Sequence, residues 1–336
     1  MVKKINPENL SKLINSFIQS GKKVVAPVRK NDKFVFKSVD NFGQNAMDYI
    51  QTILSPKAVF FPSSEEVLRY ENTNGKPKVI ELEIPENDVI LFGIKPCDAI
   101  AMNYLSDFFL KENPDKYFKL RREKTTIIGL SCKTCDEYCF CTSVGISPAD
   151  TRGSDILLTN IGQEYFAEIL SDKGKKIFED NNSLFDETEL INKEQYIANP
   201  PVRFDLQNIT DKLIQHYEDE KWKDNSLACL GCGACAFSCP TCSCYDLQDE
   251  NNPYNGRRLK NWDTCGLGLF TIHASGHNPR HVQSQRWKHR IMHKFDYSVR
   301  NQGMVSCVGC GRCIRVCPGG MNIVENLISV LENKES

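Results

Sequence analysis

The chain has 336 residues, 40% of them hydrophobic and 25% charged, and a net charge of -1. This is ordinary globular composition, long enough for two domains with separate cores. The near balance of interspersed charge excludes a general basic footprint for nucleic acid, and no stretch is apolar for long enough to span a bilayer, so a soluble protein is expected.

In chain order, Leu10, Leu13, Ile14, Phe17 and Ile18 share one face of an amphipathic helix, with Asn6 and Pro7 suited to its start. The segment lacks the continuous apolar run and small-residue cleavage site of a signal peptide. Residues 23–28 and 33–39 read as paired strands around Asn31-Asp32, and 58–61 as a further short strand. Residues 88–94 form an apolar strand that runs into Lys95-Pro96-Cys97-Asp98, followed by a helix through Ile100, Tyr104, Leu105 and Phe108. Residues 125–130 form another strand, ending at Ser131-Cys132. Both cysteine-bearing segments therefore fall at the C-terminal ends of strands, where open α/β sheets place ligands. From about 172 to 204 the sequence turns polar, and Pro200-Pro201 closes a first domain. Residues 208–222 read as a helix, and Ile323, Val324, Leu327, Ile328 and Leu331 mark a terminal one. The expected fold is α+β: an α/β-type domain over 1–205, then a mainly helical ferredoxin-like domain over 206–336.

The second domain carries two runs, Cys229-Leu-Gly-Cys232-Gly-Ala-Cys235-Ala-Phe-Ser-Cys239-Pro240 and Cys307-Val-Gly-Cys310-Gly-Arg-Cys313-Ile-Arg-Val-Cys317-Pro318. Each has the C-x2-C-x2-C-x3-C-P spacing of a [4Fe-4S] site, in which a tight loop brings three sulfurs around one side of the cubane and the fourth comes from the other run. That rule puts Cys229, Cys232, Cys235 and Cys317 on one cluster, and Cys307, Cys310, Cys313 and Cys239 on a second. A zinc scaffold would pair two knuckles instead of repeating triplets followed by Cys-Pro. A disulfide framework is at odds with the size of the chain and with the missing export signal. Sixteen cysteines in such a protein imply a reducing compartment, and the cytoplasm is expected.

Of the remaining eight cysteines, Cys97, Cys132, Cys135, Cys139 and Cys141 lie in the first domain. If the strands 88–94 and 125–130 are neighbours, these five suffice for a third cluster, while zinc, a Cys132/Cys135 dithiol and packed reduced thiols are the other readings of an irregular spacing. Cys242, Cys244 and Cys265 read as packed thiols near the first run. Five of the six histidines fall between His273 and His293, and His289 and His293 are spaced to share a helix face. No carboxylate accompanies them in a metalloprotease pattern, so hydrogen bonding or cation placement beside an anionic cluster is the expectation, shared with Arg280, Arg286, Arg290 and Lys294. These basic residues could alternatively dock an acidic partner. There is no dinucleotide fingerprint, Walker A sequence or nucleophile elbow, and no substrate site is evident. Clusters without a substrate site describe an electron carrier that lacks a catalytic centre of its own.

Several segments together resemble the beta subunit of cytoplasmic sulfhydrogenases, the iron-sulfur subunit of hydrogenase/sulfur reductase complexes. They are Gly93-Ile-Lys-Pro-Cys97-Asp98, Arg121-Arg-Glu-Lys-Thr-Thr-Ile-Ile128, Cys139-Phe-Cys-Thr-Ser-Val-Gly145, Trp262-Asp-Thr-Cys265, Gly276-His-Asn278 and His293-Lys294, besides the two cysteine runs. The chain is similar also to the A subunit of anaerobic sulfite reductase. The resemblance covers nearly the whole sequence, and the segments around Cys97 and Cys139 are more specific than the Cys-Pro runs. It implies a subunit that conducts electrons between a flavin subunit handling NAD(P)H and a catalytic hydrogenase or sulfur reductase subunit, with ferredoxin as a further partner. It implies also a third [4Fe-4S] cluster at the positions matching Cys97, Cys132, Cys139 and Cys141, with Cys135 as a departure and a non-ligand. The alternatives are the corresponding component of an anaerobic sulfite reductase, and a reductase that handles a sulfur substrate directly on its N-terminal cysteines.

Overall fold

The structure is a computed structural model that describes residues 1–73, 75–80, 82 and 87–332. It begins with β1 (Val2–Ile5), α1 (Pro7–Gln19), β2 (Lys23–Lys30) and β3 (Lys33–Ser38). Asn6 caps α1 by accepting a hydrogen bond from the Asn9 amide at 2.8 Å, and Pro7 opens its first turn. Asn31 turns the β2/β3 hairpin with φ 58°, a left-handed conformation that asparagine tolerates. There follow β4 (Ser64–Thr73), β5 (Lys76–Ile80), β6 (Val89–Ile94), α2 (Pro96–Phe109), α3 (Lys116–Lys124) and β7 (Thr125–Leu130). Next come β8 (Ile156–Asn160), β9 (Tyr165–Ile169) and α4 (Asp172–Asp180).

A seven-stranded sheet in the order β1-β9-β8-β7-β6-β2-β3 organises this part. Its centre, β2, β6, β7 and β8, is parallel, and both edges are antiparallel. The central strands are buried on both faces, as parallel strands require. Ile90, Phe92, Ile128 and Leu130 pack with Leu10, Leu13, Ile14 and Phe17 of α1 on one face, while Leu91 and Ile127 pack with Ala101, Met102 and Leu105 of α2 on the other. The strands β6 and β7 are neighbours, Leu91 opposite Ile127, so Cys97 and Cys132 emerge at one end of the sheet.

The expected strand at 58–61 does not form. Pro56–Val59 is a 3-10 turn, and Phe60 and Phe61 enter the core from it; a four-residue apolar run does not distinguish a strand from a buried turn. The expected helix at 208–222 is two pieces, α5 (Ile209–Gln215) and α6 (Lys221–Asp224). A turn separates them, closed by the Trp222 indole N–H donating to the His216 carbonyl at 2.8 Å.

The remaining elements are α7 (Ala234–Phe237), β10 (Tyr245–Asn251), β11 (Asn255–Trp262), α8 (Gln283–Met292), α9 (Ser298–Gln302), α10 (Arg312–Arg315) and α11 (Ile323–Leu331). A π-helical turn, His293–Tyr297, joins α8 to α9. The second half of the chain is therefore short helices plus a hairpin. That hairpin completes an antiparallel sheet, β10-β11-β4-β5, with strands from the first half. The hydrophobic core continues across the same divide, from Phe60, Leu91 and Tyr104 to Trp287, Ile291, Phe295 and Leu327.

Two buried ionic groups tie the halves together. Lys260 of β11, its side chain 4% exposed, pairs with Glu65 of β4 at 2.9 Å and with Asp115, the cap of α3, at 2.6 Å. Arg312 of α10 pairs with Asp98 of α2 through both guanidinium nitrogens, at 2.5 and 2.6 Å, with side chains 1% and 0% exposed. Arg312 also donates to the Thr52 carbonyl at 2.8 Å, to the Thr52 hydroxyl at 2.9 Å and to the Gln51 amide oxygen.

Removing one partner from a buried ion pair leaves an uncompensated charge. Arg312→Leu is expected to cost about 3–5 kcal/mol of stability, and the Asp98→Leu/Arg312→Leu double variant to recover most of it. Anaerobic urea unfolding followed by tryptophan fluorescence reads both; a double variant as unstable as the single one would refute this account. By the same measurement Lys260→Ala should lose about 1.5–3 kcal/mol, because Glu65 keeps its pair with Arg121 but loses one of its two cations, and Asp115 loses its lysine partner.

Candidate iron-sulfur centres

The cysteines gather where the two halves meet, on loops that close elements of the fold. Cys97 sits in the first turn of α2, and Cys132 follows β7 with its amide donating to the Pro148 carbonyl at 2.9 Å. Cys139 and Cys141 flank Phe140, whose amide donates to the Gly309 carbonyl at 2.9 Å. This contact presses the C-terminal cysteine loop directly onto the N-terminal one. A Cβ at Gly309 (φ +61°) would lie 2.5 Å from the Cys141 backbone, and one at Gly311 (φ +70°) 2.4 Å from the Tyr138 carbonyl oxygen, so only glycine fits between the cysteines there.

Three cysteine-lined cavities result. One, of about 410 Å³, is lined by Cys97, Cys132, Cys135, Cys139 and Cys141 together with Lys95, and Cys310 reaches its wall. A second, of about 610 Å³, is lined by Cys229, Cys232, Cys235 and Cys317, and Cys313 reaches its wall. Between them Cys239, Cys307, Cys310 and Cys313 are mutual electrostatic neighbours. Each sequence-derived set of four is thus drawn together in space, and the middle set borders both others. Cys135, expected to be a non-ligand, lines the same cavity as the N-terminal four. A third cavity, of about 310 Å³, holds Cys242, Cys244 and Cys265.

The donor sets suit an iron-sulfur core. Hydrogen-bond donors point at sulfur: Gln283 at Cys229 (3.0 Å), Lys294 at Cys239 (3.4 Å), Arg315 at Cys139 (3.4 Å), Gln51 at Cys97 (3.6 Å) and the Met321 amide at Cys317 (3.2 Å). Burial pushes the Cys141 thiol up to about 12 and Cys307 up to about 11, and it raises Cys97 and Cys132 as well. Thiols so buried give up their protons to a bound metal, and are poor free nucleophiles. Among the described residues no group of three or more His, Cys, Asp or Glu side chains converges on a single-ion position. Neither the zinc readings nor a His289/His293 metal pair gains support from the geometry. A cubane fits better, because its ligands surround a four-iron core.

The basic residues divide. Arg290 and Lys294 are buried beside the cysteines, Arg290 reaching Cys242 Sγ at 3.5 Å and the Cys235 carbonyl at 2.9 Å. Burial opposes the Lys294 charge, but Cys239 and Cys242 outweigh it and hold the ammonium above its ordinary range. His289 and His293 go the other way: burial, and then neighbouring cations, push each down to about 4, so at neutral pH they are uncharged and cannot serve as cations. Sequence reasoning missed Lys57, Lys95, Arg312 and Arg315, whose burial depends on contacts far apart in the chain. Lys95, two residues before Cys97, and Arg312 and Arg315, within the second cysteine run, carried a local signal.

Residues 228–321 match the family model of a 4Fe-4S dicluster domain. No solved structure matches the chain. Over 337 aligned positions it is 32% identical to the sulfhydrogenase 2 subunit beta of Pyrococcus furiosus, with 98% of each chain covered. No helix among the described residues is long and apolar enough to cross a membrane. The chain belongs to the family of sulfhydrogenase beta subunits, iron-sulfur proteins with a 4Fe-4S dicluster domain.

Proposed function

We propose that the chain is the electron-conducting subunit of a cytoplasmic hydrogenase/sulfur reductase-type complex, and that it holds three [4Fe-4S] clusters in a row. Cys97, Cys132, Cys139 and Cys141 hold the first, Cys239, Cys307, Cys310 and Cys313 the middle one, and Cys229, Cys232, Cys235 and Cys317 the third. The observation that carries the reading is the position of the middle set, with Cys310 on the wall of one flanking cavity and Cys313 on the wall of the other. Bound cubanes supply reversible one-electron transfer. The protein's own part is to hold their spacing and to set the charge around them. Lys95, Lys294 and Arg290 place buried cations beside the thiolates, which favours the reduced, more negative state. Cys232 is exposed, and Leu230 beside it is 71% exposed, so the third set meets the surface where a partner can take or give electrons.

The partners in this reading are a catalytic subunit of hydrogenase or sulfite reductase type and a flavin/NAD(P)H-binding subunit, with ferredoxin as a further electron partner. A second reading, direct reduction of a sulfur substrate on the N-terminal cysteines, draws on Cys135, which lines the same cavity as the proposed ligands.

Anaerobically purified protein should contain about twelve irons and as many acid-labile sulfides per chain, falling to about eight in Cys139→Ser. About eight irons in the unaltered protein would remove the N-terminal cluster. Cys135→Ala should keep about twelve and leave turnover of the assembled complex unchanged; a lost turnover with full iron would favour the second reading. The isolated chain should neither oxidise hydrogen nor reduce sulfite, and either activity would refute the conducting role.

A further inference from the structure

Four cysteines remain outside the proposed clusters; Cys135 lies with the first set, and the other three share a cavity of their own. Cys242, Cys244 and Cys265 line it with Arg290, His293 and Lys294. The β10/β11 hairpin brings the last two cysteines together. Cys244 immediately precedes β10, and its carbonyl accepts from the Asp263 amide at 3.0 Å, one residue past the Tyr245–Trp262 pair of the ladder. The chain then folds back at Thr264, whose hydroxyl accepts from the Gly266 amide at 3.1 Å, and Cys265 turns under the hairpin, 6% exposed. The Cys244 and Cys265 thiols are neighbours on the wall of this one cavity. A pair of neighbouring thiols suits a sulfur-sulfur bond better than a shared cubane.

We propose that Cys244 and Cys265 form a reversible dithiol/disulfide couple that exchanges two electrons with the middle cluster. The proposal rests on the three-cluster reading, because the electrons arrive and leave by that route. On oxidation, two S–H bonds break and one S–S bond forms. Two protons pass to the cavity and solvent, and two electrons leave singly to the one-electron carriers beside the pair. Reduction reverses each step. Thr241 and Lys294 bridge the gap: both line the cavity, and both reach the sulfur of Cys239, a proposed ligand of the middle set, at 3.2 and 3.4 Å. The environment favours the reactive form: Arg290 and Lys294 line the cavity, and cations beside a thiol ease the loss of its proton. Such a couple lets a chain of one-electron carriers hold a pair of electrons at one point, the unit in which nicotinamide and disulfide chemistry proceeds.

The test uses the full-length chain, purified without oxygen and equilibrated with mixtures of reduced and oxidised dithiothreitol over a range of potentials. Free thiols are alkylated under denaturing conditions and mapped by peptide mass spectrometry, with iron and labile sulfide measured on the same samples. The expected result is that the Cys244 and Cys265 labels disappear together, with a cross-linked peptide replacing them. They should follow one two-electron curve of about 30 mV per tenfold change in ratio, while iron stays at about twelve per chain. Full iron with both residues remaining thiols at every potential would overturn the couple and leave the cluster reading intact. A chain without iron would fail the cluster reading and this one with it. Cys244→Ser and Cys265→Ser should each retain about twelve irons; a loss of about four in both would make them cluster ligands and overturn the proposal.

Discussion

The ion pair between Arg312 and Asp98 is the constraint on which the arrangement of cysteines depends. Arg312 lies between Cys310 and Cys313, and Asp98 directly follows Cys97, so a single bidentate contact fixes one cysteine loop against another. The helices that carry cysteines of the two C-terminal runs, α7 and α10, have four residues each and cannot hold their own shape in isolation. A buried pair of this kind adds little net stability compared with a well-packed apolar contact, because both charges lose their hydration. Its value lies in position. The guanidinium fork accepts few geometries, and here it is also bonded to Thr52 and Gln51, so the loops have one register available.

The same constraint has an electrostatic side. Burial raises the Cys97 and Cys310 thiols, and the charge of Asp98, beside the one and near the other, raises both further. Thiolates and a carboxylate crowded into a buried site repel strongly, and Arg312 offsets that repulsion at its source. Basic side chains recur along the row of cysteines: Lys95 at the first set, where burial holds its ammonium below its ordinary range, Lys294 at the middle one, and Arg290 between the middle and third. Lys57, 2% exposed, donates to the Cys242 carbonyl at 2.9 Å and stacks over the Trp262 ring at 4.1 Å. The interior of this protein is thus built to stabilise negative charge along a line, which is what a conductor of electrons needs and a structural zinc site does not.

What was legible in the sequence was local. The Cys-x2-Cys-x2-Cys runs are legible because three sulfurs of a cubane come from one tight loop, so the spacing is itself the geometry. The parallel strands β6 and β7 were legible from their continuous apolar runs, and with them the placement of Cys97 and Cys132. The hairpin was not. Every residue of β10 from Tyr245 to Asn251 is exposed, so no alternation marks it as a strand. Its pairing with β4, through β11, spans more than 180 residues, a relation that no local pattern carries. The buried lysines were hidden for the same reason, since a lysine reads as surface until the partners that desolvate it are known.

The long segment between the two cysteine runs, residues 240–306, then acquires a purpose. A ferredoxin needs only a short connection there, yet this one supplies three things at once. It provides the hairpin that joins the sheet of the first half, the helix α8 with Arg290, and the π-helical turn that carries Lys294 inward toward Cys239 and Thr241. A π turn widens the helix by one residue and re-aims the side chains on it, and such turns recur at functional sites for that reason. Lys294 also donates to the Ser306 carbonyl at 2.9 Å, one residue before the second run begins. The segment is therefore anchored at both ends to the middle set of cysteines, and whatever displaces the hairpin base at Cys244 and Cys265 acts on Arg290 and Lys294 through the same cavity wall. Because those two cations face the middle set as well, a change of charge or bonding at the hairpin base alters the electrostatic environment of those four cysteines.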